Sequence, residues 1–476
     1  MRPGAGAAHG LAQTLPLGAK LLPVLVAAGW MVLVSAGGGL GAALYFSPVL
    51  VVVGVVAAFV VAGTAVARPV AIGLMLVVVV AGLNVAFSPR QEGEIGLTPQ
   101  NGVKLVTWTL LALVTVLQWQ RLAAMLRDPV FALAAAHVAV AGLSMTWSLD
   151  PAYTAANALG LLGYLGLACL VASRLPEGTA FRIMVWSLLA LIAGGLVAGV
   201  ILPDMSWLPP SQGEPAMRFQ GVSGHPNVYA QQAGYLFVLA TSGRRAGHLS
   251  RRLFLAAAGV ALAAILLSDS RTTLLACLLS WGLVALRQRR LMPLAGVCLC
   301  VLATVATILF ATGGMAQIGA LLGSVSRSGS SSELTTLTGR TEIWALAWDL
   351  IQQRPLLGWG FNATEQLISD SLPTTFYGSH VNCHNMTIQL VLTLGFLGAI
   401  PGLGFVAGLL YRAVVRPDPA RDQTTFFMFV SGLTESPIFV VPSLQNLVVF
   451  YFIARDAQAA RRETPPQSPV QLRLAA

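Results

Sequence analysis

Charge is scarce in this chain: Asp, Glu, Lys and Arg make up 10% of its 476 residues, where soluble domains carry about 25%. With 56% hydrophobic residues and a mean hydropathy of +0.76, that scarcity excludes an ordinary soluble domain. Cysteine is scarce too. Of the five, Cys169, Cys277, Cys298 and Cys300 lie in apolar runs and Cys383 stands alone in a polar segment, which gives neither a disulfide framework nor a CxxC metal pair. The sequence has no Walker loop, no Gly-x-Gly-x-x-Gly following a strand and no metal-ligand spacing, so no motif calls for a cofactor or a metal. No small-residue cleavage site follows the mildly polar start, and the run beginning near Leu21 is expected to be a retained first span and not a removed signal peptide.

What is present is a succession of apolar runs of bilayer length, about twelve to fourteen by a spacing of roughly 20 residues each. They predict an all-α polytopic membrane protein. The net charge of +10 is topological. With the N-terminus inside and loops assigned alternately, 21 of 28 Lys and Arg fall inside, against 6 of 18 Asp and Glu, the positive-inside pattern. Both termini are then cytoplasmic, and no nucleic-acid partner is implied. Three regions follow: an N-terminal transmembrane scaffold over 1–202, a membrane region over 203–456 that includes a long outer loop at 313–383, and a cytoplasmic tail over 457–476 whose composition reads as disordered.

The polar residues concentrate on the outer side. The segment "MRFQGVSGHPNVYA" leads into a span and packs Arg218, Gln220, His225 and Asn227 at the helix start, where free N–H groups and Pro226 in the first turn suit an anion. His225 reads equally as a simple cap. Asp269 and Arg271 stand at the mouth of a helical hairpin, either paired with each other or leaving the Arg271 guanidinium for an oxyanion. From Arg340, apolar residues at helical spacing (Ile343, Leu346, Ala347, Leu350, Ile351) predict an amphipathic surface helix stopped at Arg354-Pro355, with Trp344 and Trp348 as interfacial anchors. His384-Asn385 heads the next long run: Asn385 can cap it, and His384 is a candidate general base, with His380 a looser one. Glu435, in "LTESP", joins two shorter apolar pieces on the same side. His137 sits mid-span; a lone histidine there reads either as an intramembrane functional group or as a core residue bonding a neighbouring helix.

An outer face without free nucleotides needs a donor that arrives activated in the membrane. A prenyl-diphosphate-linked sugar fits, with its tail in lipid and its diphosphate on Arg218, Arg271 and Arg340.

Taken in order, "R…G…HPN", "SR", "GR…W……RP…G.G", "HN….L…LG..G" and "TES" over Arg218 to Glu435 resemble the bacterial O-antigen ligase and polysaccharide polymerase superfamily. The resemblance implies a metal-independent, inverting membrane glycosyltransferase in the inner membrane with a periplasmic site. It implies undecaprenyl-diphosphate-linked oligosaccharide as donor and a glycan acceptor, lipid-linked or lipid A-core. The family's base falls on His384, its diphosphate-binding arginines on Arg218 and Arg340, with Arg271 at a less uniform position. Glu435 falls on a supporting carboxylate, beside His225, Asn227, Asn385 and His380. The wording "GRTEIW" and "RPLLGWGF" inclines the reading to polymerisation of exopolysaccharide or O-antigen repeats; ligation to lipid A-core and protein O-glycosylation are the alternatives. A lipid-linked-glycan flippase would be a different class. It would need polar residues along a path through the bilayer, whereas here they gather on one face with His137 as the exception.

Overall fold

The computed structural model describes residues 68–86, 99–209, 217–288, 340–371 and 382–463. The runs before Arg68, most of the outer loop, His380, Cys298, Cys300 and the residues after Glu463 lie outside the described residues. Within them the chain is an all-α polytopic membrane protein.

In chain order the helices are α1 (Pro69–Val80), α2 (Pro99–Leu117), α3 (Trp119–Met125), α4 (Pro129–Leu143), α5 (Pro151–Arg174), α6 (Glu177–Ile201) and the short α7 (Pro203–Ser206). After a two-residue antiparallel ribbon, β1 (Trp207–Leu208) with β2 (Arg218–Phe219), come α8 (Pro226–Arg245), α9 (Arg251–Leu267) and α10 (Arg271–Gln288). Last come α11 (Arg340–Gln353), α12 (Thr364–Ser371), α13 (Met386–Val415), α14 (Pro419–Gly432) and α15 (Leu444–Glu463). The starts are written locally. Asp128, Asp150, Ser250 and Asp418 each accept a hydrogen bond from the backbone N–H three residues on, at the openings of α4, α5, α9 and α14. Proline supplies the first turn of α4, α5, α8 and α14, where its missing N–H leaves nothing unpaired.

Among the described residues, four helices are long and apolar enough to cross a membrane, or five if α2 and α3, bent by 73°, form one span. Of the others, α1 and α9 are apolar but only 12 and 17 residues long, whereas α8, α14 and α15 carry polar side chains inside the bundle. Gln231 and Gln232 on α8, Gln423 on α14 and Gln445 on α15 are all buried. They pair with one another and with hydroxyls or amides: Gln445 Nε2 donates to Gln231 Oε1 (3.2 Å), Gln423 Nε2 to Thr241 Oγ1 (2.7 Å) and Gln232 Nε2 to Asn84 Oδ1 (3.1 Å). Polar residues are thus not confined to one face of the membrane; these are uncharged interhelical ties of the kind that join helices in lipid.

Two further expectations are corrected. His137 bonds no neighbouring helix: both ring nitrogens lack a hydrogen-bond partner, and the imidazole is enclosed by Phe439, Phe405 and Phe361 with ring centroids 5.0, 5.9 and 6.2 Å away. The tail expected from Ala457 begins as helix, since α15 continues to Glu463.

Charge collects at the two ends of α13 and α14. At the end carrying Arg412 and Asp418, Arg421 is paired with Asp456 (2.7 Å) and Asp422 (2.7 Å), Arg412 with Asp128 (2.5 Å), and Arg455 with Glu177 (2.7 Å). The opposite end holds His384 and Glu435.

α13 is broken. Gly395 has φ 66° and ψ −179° inside the helix, and residues 355–360, which follow α11, fill the gap. Trp359 N and Gly360 N donate to Leu392 O (3.2 Å) and Thr393 O (2.8 Å), while Phe396 N and Leu397 N donate to Pro355 O (2.8 Å) and Leu356 O (3.2 Å). The insert thereby satisfies the backbone groups that the break frees, which apolar surroundings would otherwise leave unpaired at a cost of several kcal/mol each, on the order of a lost hydrogen bond in lipid. Such close approach needs glycine on both sides. Gly358 and Gly395 both have positive φ, a Cβ on Gly358 would meet Gly395 N at 2.5 Å, and a Cβ on Gly395 would collide with the Leu356 carbonyl.

Candidate functional site

The site is built around one carboxylate. Glu435, in the link between α14 and α15, is 6% exposed. Its Oε1 accepts from Arg340 Nη2 (2.6 Å) and from Asn227 Nδ2 (3.0 Å), and its Oε2 lies 3.0 Å from His384 Nδ1. Asn227 in turn accepts through Oδ1 from Arg218 Nη2 (2.6 Å). Residues from five separate segments of the chain therefore meet in one hydrogen-bonded chain.

Local sequence explains each placement. Arg218 lies on β2, whose pairing with β1 fixes its direction (Leu208 opposite Arg218). Its Nε and Nη2 also donate to Ser268 O (3.2 and 3.1 Å) at the end of α9, and the residue is 3% exposed. His225 caps α8 by accepting from Asn227 N (3.2 Å), which turns the Asn227 side chain towards Glu435. The capping role of His225 and its part in the site are one geometry. Arg340 is the first residue of α11. Asn385 caps α13 with Oδ1 bonded to Thr387 N and Ile388 N (both 3.0 Å) and donates through Nδ2 to Leu433 O (3.0 Å), tying the helix start to the segment that holds Glu435.

His384 is held in an unusual backbone state, φ +47°, a left-handed conformation uncommon outside glycine. Its neighbours over-determine it. Asn382 Oδ1 accepts from His384 N (2.8 Å), Gln389 Oε1 accepts from Cys383 N (3.0 Å), and Trp344 Nε1 on α11 donates to Cys383 O (2.8 Å). Trp344, expected as an interfacial anchor, is thus a tie between α11 and the segment before α13. Trp348, 52% exposed, keeps the anchoring role open. Cys383 is a free, fully buried thiol, and burial pushes its ionisation up, so it is no nucleophile.

Burial alone would raise the Glu435 pKa, but His384, Arg340 and His225 outweigh it and hold the carboxyl at about 2. A carboxylate that acidic is a poor proton acceptor. Its partners assign the chemistry: with Nδ1–H of His384 donated to Oε2, the Nε2 lone pair becomes the basic one. Two guanidinium groups against one carboxylate leave the cluster positive before either imidazole is protonated, which suits an anion.

Arg271 does not join this chain of bonds. It opens α10 beside Asp269 (Nε to Oδ1 3.8 Å, each side chain 42% exposed), as the paired reading had it. Sequence reading missed the turn between α4 and α5. There Ser144 Oγ accepts from Phe361 N (2.9 Å), Trp147 Nε1 donates to Leu357 O (2.9 Å) and Thr154 Oγ1 donates to Phe361 O (2.8 Å), gripping the insert that fills the break in α13. These are isolated hydroxyls and one indole in a segment of scaffold-like composition, and nothing in their spacing singles them out.

The family comparison covers part of this region. Residues 253–401 match the family model described as O-Antigen ligase. The match supports the O-antigen ligase and polysaccharide polymerase superfamily, and with it glycosyl transfer of that general type on lipid-linked glycan in a membrane setting. The matched segment contains α11, the insert, His384 and the break in α13, while Arg218, Asn227 and Glu435 lie outside it. The chain matches no curated protein.

Proposed function

We propose that the protein transfers glycan from an undecaprenyl-diphosphate-linked donor to a sugar hydroxyl at the periplasmic face of the inner membrane, polymerising exopolysaccharide or O-antigen repeats. The observation that carries this reading is the single buried carboxylate that gathers His384, Arg340 and Asn227. In this reaction His384 Nε2 takes the proton of the acceptor hydroxyl as its oxygen attacks the anomeric carbon. The bond from that carbon to the diphosphate oxygen breaks on the opposite face, so the configuration inverts. Undecaprenyl diphosphate departs with the bonding pair. Glu435 holds the imidazole in the correct tautomer and stabilises the imidazolium that forms, as the carboxylate of a triad does. Arg340, whose side chain keeps 15% of its surface open, meets the leaving diphosphate directly, while Arg218 adds its charge from within the cluster. No metal ion is required by these steps.

A second reading, ligation of the glycan to lipid A-core, is favoured by the description of the matched family itself. The two differ only in the acceptor. The test has two parts. Purified protein, given lipid-linked oligosaccharide extracted from the producing cells, should lose turnover by at least about 10²-fold in His384→Ala, as expected for removal of a general base, while still binding undecaprenyl diphosphate. Arg340→Ala should lose both binding and turnover. Wild-type turnover in either variant would falsify the reading. Complementation of strains lacking the polymerase or the ligase, read by glycan banding, then decides the acceptor: a restored ladder of repeats supports polymerisation, and restored attachment to lipid A-core supports ligation.

A further inference from the structure

We infer that the outer turn between α4 and α5, in the N-terminal half of the chain, is a positioning element for the base: it sets His384 against Glu435 and Arg340 by holding the insert in the break of α13. The inference rests on the glycosyl-transfer reading above and adds to it residues from a region that otherwise reads as scaffold.

The connection is geometrical. α11 carries Arg340 at its first residue and runs 14 residues, about 21 Å at 1.5 Å per residue, to the insert. The upper part of α13 carries His384 just before its first turn and runs from Met386 to the break at Gly395. These two helices form the sides of a closed frame. At the top, Arg340 and His384 share Glu435, and Trp344 Nε1 bonds Cys383 O. At the bottom, the insert that ends α11 is hydrogen-bonded into the broken backbone of α13 through Pro355, Leu356, Trp359 and Gly360. A further tie lies beside the frame, where Gln389 Nε2 on α13 donates to Thr364 Oγ1 at the start of α12 (2.5 Å). A closed frame transmits displacement: if the bottom vertex shifts, the top vertex shifts with it.

That bottom vertex is fixed from outside the frame by the α4–α5 turn. Four bonds reach it. Besides Ser144, Trp147 and Thr154, Leu149 N donates to Trp359 O (3.2 Å). Ser148 packs against Gly360 so closely that a Cβ there would collide with it, and is itself held by a hydrogen bond to Thr154 (2.7 Å). Three of the four use side chains to hold backbone atoms of Leu357 and Phe361, in the insert and directly after it. Side-chain atoms spent on another segment's main chain fix its position irrespective of its sequence. Among the described residues no hydrogen bond joins the turn to His384 or Arg340, so its part in the reaction is positional.

The experiment removes those bonds with near-isosteric changes: Ser144→Ala, Thr154→Val and the double variant in the full-length protein. Turnover is measured with lipid-linked oligosaccharide from the producing cells, and affinity with undecaprenyl diphosphate alone. A displacement of a fraction of an ångström at the base is expected to lower kcat at least about tenfold in the double variant, while affinity for undecaprenyl diphosphate stays within about twofold. A tie that only stabilises the fold would leave kcat per folded molecule in place. Wild-type kcat in the folded double variant would overturn the inference, and so would equal losses of kcat and of undecaprenyl diphosphate affinity. If the double variant does not fold, Trp147→Phe, which deletes one bond to Leu357 O from a partly exposed ring, is subject to the same criteria. His384→Ala run in parallel separates the two failures. Turnover in that variant sinks the assignment of the base, whereas an inactive His384→Ala beside unaffected turn variants sinks only the positioning role.

Discussion

Glu435 decides what the neighbouring residues can do. Its carboxyl, held at about 2 against an ordinary 4.5, is ionised throughout the range in which an imidazole works, so in the proposed reaction it is an orienting and stabilising group and not the proton acceptor. The same shift makes it a stability element with a definite pH dependence. Because the folded-state value lies below the unfolded one, the contribution is present in full above about pH 4.5 and is lost as the pH falls towards about 2. Thermal unfolding of Glu435→Gln in detergent should therefore show a lower Tm than wild type at neutral pH, with the gap closing as the pH drops through that window. A gap independent of pH would show that the charge is not what stabilises. Arg218 differs from Arg340 in the same respect. At 3% exposure and bonded to Ser268 O and Asn227, it is expected to cost fold as well as activity when replaced by Ala, where Arg340→Ala costs mainly activity; the yield of folded protein in the two variants tests this. His225, Asn227, Asn385 and Glu435 were legible as polar residues near helix starts or in the outer link. Their common partner was not, because Glu435 is more than 200 residues from Asn227 in the chain and no local rule links them.

The element that most shapes the site is the broken helix α13. From the sequence it reads as one long apolar run with a cap, and the cap at Asn385 is as expected. The break is unmarked by the usual signals. Pro401 lies further on within the helix, while the discontinuity falls at Gly395, where the insert arrives. The glycines of "RPLLGWGF" and of "LTLGFLG" therefore serve one joint, each needed because the other backbone comes within contact distance. Gly395→Ala is expected to destabilise the protein by at least about 1–2 kcal/mol from the left-handed φ alone, with the collision against Leu356 adding to it. Limited proteolysis of α11 should accelerate as the insert is expelled. Unchanged Tm and proteolysis would mean that the joint adjusts. The amphipathic helix at α11 was read correctly in its bounds, since a 3.6-residue apolar period and a following Arg-Pro stop are both local properties. Its attachment to α13 was not, since the insert's backbone bonds carry no side-chain signature.

At the scale of the whole molecule, charge is sorted to two ends. One end holds the positive cluster around Glu435. The other holds buried ion pairs in which Arg421, 4% exposed, bridges Asp422 and Asp456. Removing one partner of such a group strands the others. Arg421→Met is expected to lower stability by roughly 3–5 kcal/mol while leaving turnover per folded molecule unchanged, measured as Tm and as activity normalised to folded protein; a fall in normalised turnover would connect that end to the reaction. Composition by itself determined that the chain is helical and membrane-bound, because apolar length and the scarcity of charge are summed properties that need no contacts. The order of its polar segments also carried the resemblance to the superfamily, since short motifs in sequence order are local properties. Only the tertiary structure decided that His384, Arg340, Arg218 and Asn227 converge on Glu435, that Arg271 stands apart beside Asp269, and that Ser144, Trp147 and Thr154 hold the insert. Those are distances between remote segments, and they follow from how helices pack and where one of them breaks.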